Sequence, residues 1–511
     1  MTSTQEEPAG APLTGTKLLL ACMVLALANF MVVLDTTIAN VSVPHIAGSL
    51  GISPSQGVWV ITSYAVAEAI CVPLTGWLAG RFGAVRTFIF GMFGFGLFSV
   101  LCGMSTSLTM LVICRIGQGL CGGPLMPLTQ TLLLRIVRKD QQSQAMALWA
   151  MTTLIAPIIG PIMGGTISDN WSWNWIFLIN LPVVALCGFG ALHLLRQSET
   201  PTQPLKVDRT GLFLMVLWIA ALQILLDLGR EHDWFNDRSM VILGLTALIG
   251  FAVFIAWIVG EEQPIVDIRV FRHRGFTVAV AALSLAFGAF FSTMVIVPQW
   301  LQGSLGYTAT YAGYATAFTG MAAVVMAPVV AKLSTRVDPR ILVCFGILWL
   351  GMTALLRSHW NTQADFWTLA TPQLIMGFGM PFFFVPLMTL ALAAVEPEET
   401  ASAAGVMNFL RTMAGAIGTS ISATIWSDNA VVARNELTGR LNTGEAQDAL
   451  SAQGWSIDQT RAVVGQLVDQ QSLALATNHV FQIAALVFAG AAMIIWLAPR
   501  PQREVDVSAV H

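Results

Sequence analysis

"LLLACMVLALANFMVVL" fills residues 18–34, and Asn29 is its single polar residue. A helix rises about 1.5 Å per residue, so a run of this kind crosses most of a hydrocarbon core about 30 Å thick. It leads without a breaker into "DTTIANVSVP" (35–44), which leaves Asp35 inside an element suited to lipid. A charge at mid-bilayer depth costs roughly 2.5–3.5 kcal/mol on insertion scales. Whatever retains Asp35 must offset that cost.

The rest of the chain has the same character. Of 511 residues, 55% are hydrophobic and 10% charged, against about 25% charged in soluble domains. Most of the chain is therefore expected in a membrane, and the net charge of −3 points to no particular partner. Fourteen apolar runs are long enough to span: 17–39, 56–76, 86–104, 107–132, 144–167, 175–195, 210–228, 239–259, 276–297, 310–331, 340–357, 367–392, 401–426 and 478–498. They lack a period of two and are twice the length of a barrel strand, so they read as helices. With the N-terminus inside, 17 Lys and Arg fall in cytoplasmic segments and 6 on the opposite side. That asymmetry predicts both termini in the cytoplasm and an even number of spans. "LALANF" mimics a signal-peptidase site, but the apolar run continues past it, so an uncleaved first helix is expected. The seven cysteines lie in apolar runs without metal-like spacing, and no G-x-x-x-x-G-K-[ST] occurs. These features imply neither a disulfide framework nor ATP hydrolysis on this chain.

The chain repeats itself. "GWLAGRFGAVR" (76–86), with Gly76, Arg81 and Gly83, is echoed by "APVVAKLSTRVDPR" (327–340). "APIIGPIMGGTI" (156–167) is echoed by "GAIGTSI" (415–421). Spans 1–6 and 9–14 thus read as two related six-helix halves, with spans 7 and 8 inserted between them. The expected organisation is a cytoplasmic tail (1–16), an N-terminal half (17–195), a linker carrying the two inserted helices (196–275), a C-terminal half (276–498) with an extracytoplasmic loop (427–477), and a second tail (499–511).

Within span 5, Gly160, Gly164 and Gly165 let a neighbouring helix approach closely, while Pro157 and Pro161 remove backbone donors and bend the helix. Asp35, Glu68, Arg115, Asp227 and Arg411 are ionisable groups within or near spans, which makes them functional candidates. Asp227 lies close to a span end and reads as an interfacial cap. The aromatics divide between interfacial anchors and cavity lining.

Taken together, "LDTTIANVSVPHIAGSL" (34–50), "RIGQGLCGGPLMPLTQTLLL" (115–134), "APIIGPIMGGTISDNWSWNWIFLINLP" (156–182) and "NFLRTMAGAIGTS" (408–420) resemble the major facilitator superfamily, in particular its fourteen-helix drug:proton antiporters. The resemblance implies an all-α integral membrane protein with the major facilitator fold. It further implies export of small lipophilic substrates across the bacterial inner membrane, driven by protons and needing no cofactor. It marks Pro157, Gly160, Pro161, Gly164 and Gly165 as the antiporter motif, and places Arg115 where it faces Asp35. Proton coupling then falls to Asp35, Glu68 and Arg115, and the substrate cavity to Asn40, Gln118, Asn408 and Arg411. Gly80 stands where the family's loop motif carries an acid, which puts a charge relay at that end in question.

The segment from Asp428 to Asn478 is expected to form short amphipathic helices outside the membrane. By the same resemblance it meets a periplasmic adaptor of the EmrA type and, through it, an outer-membrane channel. A channel would need rings of like charge along one axis, and a membrane enzyme a catalytic cluster such as H-E-x-x-H; the sequence offers neither. The alternative reading is a dedicated exporter of a metabolite such as a fatty acid or siderophore.

Overall fold

The computed structural model describes residues 13–440 and 456–499. Its helices are α1 (Gly15–Leu50), α2 (Trp59–Cys71, resumed after a 57° break by Thr75–Phe82), α3 (Ala84–Gly103), α4 (Leu108–Ile136), α5 (Gln142–Asn170), α6 (Trp175–Leu194) and α7 (Arg209–Leu228). They continue as α8 (Arg238–Gly260), α9 (Arg274–Leu305), α10 (Ala309–Ser334), α11 (Pro339–Arg357), α12 (Phe366–Ala393), α13 (Thr400–Arg440) and α14 (Ile457–Ile494). Among the described residues, eleven helices are long and apolar enough to cross a membrane, or thirteen when the two bent pairs each count as one span. α13, polar along its final third, completes the fourteen that the sequence predicts. The chain is a multi-pass membrane protein.

Local chemistry sets the helix ends. Ser107, Asp208, Asp237, Thr308, Asp338 and Asp365 each cap the helix that follows by accepting a first-turn N–H. The cap at Asp237 holds its carboxyl below the usual range, because both the Ser239 hydroxyl and backbone N–H donate to it. α1 and α9 both stop at a left-handed glycine, Gly51 (φ +66°) and Gly306 (φ +68°), and each carries one internal proline, Pro44 and Pro298.

Packing repeats with a shift of eight helices. In the first half α1 packs on α5, α4 and α6, α2 on α4, and α3 on α4 and α6. In the second half α9 packs on α13, α12 and α14, α10 on α12, and α11 on α12 and α14. The contacts between halves follow the same symmetry. α5 lies on α10 and α12, as α13 lies on α2 and α4. The inserted pair breaks it, because α7 covers the α2/α13 seam. Trp234 Nε1, just beyond α7, donates to Thr424 Oγ1 of α13 (3.0 Å), and Ser420 Oγ of α13 donates to the Leu226 carbonyl (2.9 Å).

α1 begins and α14 ends on one side of the molecule, here called the tail face. From the opposite side α13 and α14 project as a pair. At 41 and 38 residues they are roughly 57–62 Å long, about twice a hydrocarbon core. Trp426 Nε1 donates to Thr477 Oγ1 (2.9 Å), and Arg434 pairs with Asp469 (2.6 Å). In place of separate short helices, the described parts of that segment, 428–440 and 457–478, are continuations of α13 and α14, a pair called here the hairpin. Residues 441–455, between the two, lie outside the described residues, as do 1–12 and 500–511.

Candidate functional site

Asp35 is 2% exposed and fully bonded. Arg115 Nη1 donates to its Oδ2 (2.7 Å), while Gln118 Nε2 (3.1 Å) and Asn180 Nδ2 (2.6 Å) donate to Oδ1. Arg115 also donates to the Gln118 Oε1 (2.7 Å) and the Val60 carbonyl (3.1 Å), and its guanidinium lies 4.1 Å from the Tyr64 ring centroid. Ser99 Oγ accepts from Gln118 (2.8 Å) and Asn180 (3.2 Å). Five helices of the N-terminal half, α1, α2, α3, α4 and α6, thus meet at one neutral, desolvated centre. Removing one member of such a buried pair strands the other, at about 3–5 kcal/mol.

Ser99, Asn180 and Arg115 stand four, five and seven residues from the hairpin-side ends of their helices, roughly 6–10 Å along each axis. The donors to Asp35 thus stand near the hairpin-side ends of their helices, while Asp35 itself is 15 residues short of the end of α1.

A second centre lies between the halves. Arg411 of α13 is 2% exposed. Its guanidinium sits 5.5 Å from the Trp149 ring centroid of α5, 5.0 Å from Phe287 of α9 and 5.9 Å from Phe384 of α12, with the Met126 thioether of α4 against Nη2. One turn earlier Asn408 donates to the Gln130 Oε1 of α4 and to the Ala404 carbonyl. Gln118 and Asn408, both expected in one cavity, belong to different centres. Asn40 is exposed and joins neither. Glu68, half-buried on α2, lies within electrostatic range of Arg115, Asp35 and Arg411.

The antiporter motif connects to the first centre. α5 bends by 42° after Pro157, and its glycines press on α1 just past Asp35. A Cβ on Gly160 would fall 2.1 Å from Thr37 Oγ1, and one on Gly164 3.0 Å from the Ile38 carbonyl; Gly165 faces open space. The echo in α13 crosses α9 the same way, since a Cβ on Gly418 would fall 2.6 Å from the Gly288 carbonyl.

The loop motif packs the tail face. A Cβ on Gly76 would fall 2.6 Å from Ser402 Cα, so α2 and α13 cross there. Arg81 donates to the Leu205 carbonyl and lies 5.4 Å from the Trp77 ring. Gly80, lacking the family's acid, lies under the 203–205 segment, with Gln203 N bonded to its carbonyl (2.8 Å). Glu199 accepts from Val85 N (2.9 Å) and Arg86 N (3.0 Å), capping α3 beside Gly83 (φ +94°).

Several residues of these centres lie beyond the sequence candidates: Asn180, Ser99, Tyr64, Gln130 and Met126. Asn180 and Gln130 are legible in hindsight as single amides in the apolar runs "WIFLINLPVV" and "LMPLTQTLLL". A lone buried amide needs a partner.

Comparison with known proteins agrees with this architecture. The model of the family described as Major Facilitator Superfamily matches residues 25–419. The chain is 41% identical over 496 residues to the multidrug export protein EmrB of Escherichia coli (strain K12), covering 96% of this chain and 97% of that one. It is 40% identical over 495 residues to the fatty acid resistance protein FarB of Neisseria gonorrhoeae, covering 96% and 98%. Among solved structures, the human organic anion transporter MFSD10 superposes with a TM-score of 0.59 at 13% identity, over 93% of this chain and 100% of that one; at that identity the likeness is one of fold. With a matching model over most of its length, and relatives that align nearly end to end, the chain belongs to the Major Facilitator Superfamily.

Proposed function

We propose that the chain is a proton-coupled multidrug efflux transporter. It exports lipophilic toxic compounds across the bacterial inner membrane, with the tail face and both termini in the cytoplasm, by rocking the two halves around the seam. We assign it no enzymatic step. One observation carries the reading: α5 bears on α1 at Thr37 and Ile38, two and three residues past the buried Asp35, and its other side lies on α10 and α12 of the second half. A change at Asp35 thus has a short mechanical route to the seam.

Protonation from the outside would neutralise Asp35 and leave Arg115 without its counter-charge. The donors around Asp35 would then rearrange, α1 would shift beneath Gly160 and Gly164, and the seam would open toward the cytoplasm. Release of the proton inward and loading of substrate would restore the ion pair. One elementary charge carried through the membrane potential supplies roughly 2.3 kcal/mol per 100 mV, enough to bias such a cycle. Glu68, in range of both centres, is the second candidate carrier. The experiment is ethidium export by Asp35→Asn in proteoliposomes with an imposed proton gradient. Substrate binding is expected to persist and uphill export to vanish; full uphill export at neutral pH would refute the assignment.

The projecting α13–α14 hairpin supports a second part of the proposal, docking of a periplasmic adaptor that leads to an outer-membrane channel. Likeness to FarB supports the alternative of a dedicated fatty-acid exporter. A substrate panel in the same vesicles separates breadth from dedication.

A further inference from the structure

Arg411 is buried at the seam, yet its Nε and Nη1 have no hydrogen-bond partner. The remaining nitrogen, Nη2, meets only a thioether, which is a weak acceptor. Among the described residues Glu68 is the carboxylate that acts on it electrostatically, without an ion pair between the two. Aromatic faces from both halves hold the guanidinium in place. They offset part of its charge and satisfy none of its N–H groups. Unmet donors on a buried cation are costly, and here they belong to a fixed, desolvated planar fork of the kind that matches a carboxylate.

The surroundings define the rest of the ligand. Phe287, one wall of the guanidinium site, also lines a slot that continues along Phe290, Met294 and Met380, with Pro157 of α5 opposite. The slot encloses about 10 Å³ in this conformation, room for roughly one water. Its walls come from both halves, so it widens when they part.

We propose that Arg411 is the head-group site for lipophilic carboxylates, whose apolar body lies along the slot that begins at Phe287. This rests on the export reading above and gives it a substrate class: monoanions with a bulky apolar part are taken in preference to matched alcohols or cations. A cation of the same shape would meet a like charge at the head-group position.

The test uses the full chain in proteoliposomes with three fluorescent probes that share one body: pyrenebutyrate, pyrenebutanol and pyrenebutylammonium. The wild type is expected to export the carboxylate fastest, and Arg411→Gln to lower the carboxylate-to-alcohol ratio by about tenfold or more, the scale of one charged hydrogen bond. Faster export of the alcohol or the cation by the wild type, or an unchanged ratio in Arg411→Gln, overturns the proposal and leaves the export reading standing. Failure to export any of the three, or ethidium, overturns both. Thermal shift of the wild type needs no variant: pyrenebutyrate is expected to raise the melting temperature more than pyrenebutanol, and equal shifts refute the carboxylate site.

Discussion

Asp35 persists in an apolar helix because three side chains from two other helices meet it. Arg115 supplies the charge, while Gln118 and Asn180 fill the remaining acceptor positions. The amides matter as much as the ion pair, since a buried carboxylate with unmet lone pairs loses much of the benefit of its partner. Asn180→Ala is therefore expected to destabilise the protein by about 1–3 kcal/mol, read as a lower melting temperature in detergent, while Asn180→Asp places a second carboxylate against Asp35 and is expected to cost more. No change for either would show that Asn180 is incidental to the centre. Arg115 and Asp35 were legible as charges in apolar runs. Asn180 was less so, because a single amide has a dozen roles in a membrane helix, and only the fold brings α6 to α1.

At the scale of the element, the glycines of α5 are unequal although their spacing makes them look alike. Gly160 has no room for a side chain against Thr37, whereas Gly165 faces open space. Gly160→Ala is expected to abolish ethidium export with the fold retained, because α5 can no longer seat on α1. Gly165→Ala is expected to keep wild-type export and gain slightly in stability from better helix propensity. Equal loss in both would make the motif a matter of general flexibility. The loop motif follows the same logic. Gly80 carries no acid, and the acid beside the motif is Glu199, more than a hundred residues later in the chain, which caps α3. Glu199→Ala is expected to cost about 1 kcal/mol, the usual scale of a lost helix cap. A melting temperature unchanged from wild type would count against that role. The helix-forming runs and their repeats could be read from periodicity. The supply of a cap by a distant loop could not, because no local pattern marks it.

At the scale of the molecule, the α13–α14 hairpin is continuous with two transmembrane helices, and the Trp426–Thr477 contact lies near its base. Excision of residues 428–477 would cut into that base. Truncation beyond the Arg434–Asp469 pair, with a short flexible turn in place of 436–467, is expected to preserve export by the protein alone and to abolish cross-linking to a periplasmic adaptor. Loss of export in the pure system, with melting unchanged, would place the hairpin in the transport step. The sequence by itself determined the membrane setting, the fourteen helices, the two related halves and the residues whose charge needs an explanation, because lipid solvation and helical rise act on every residue locally. Only the tertiary structure decided that Asp35 and Arg411 belong to separate centres, one inside the N-terminal half and one on the seam, and that α7 closes the α2/α13 side. Those outcomes depend on which helix faces meet across hundreds of residues, and the apolar surface common to all fourteen helices does not encode that choice in any short stretch.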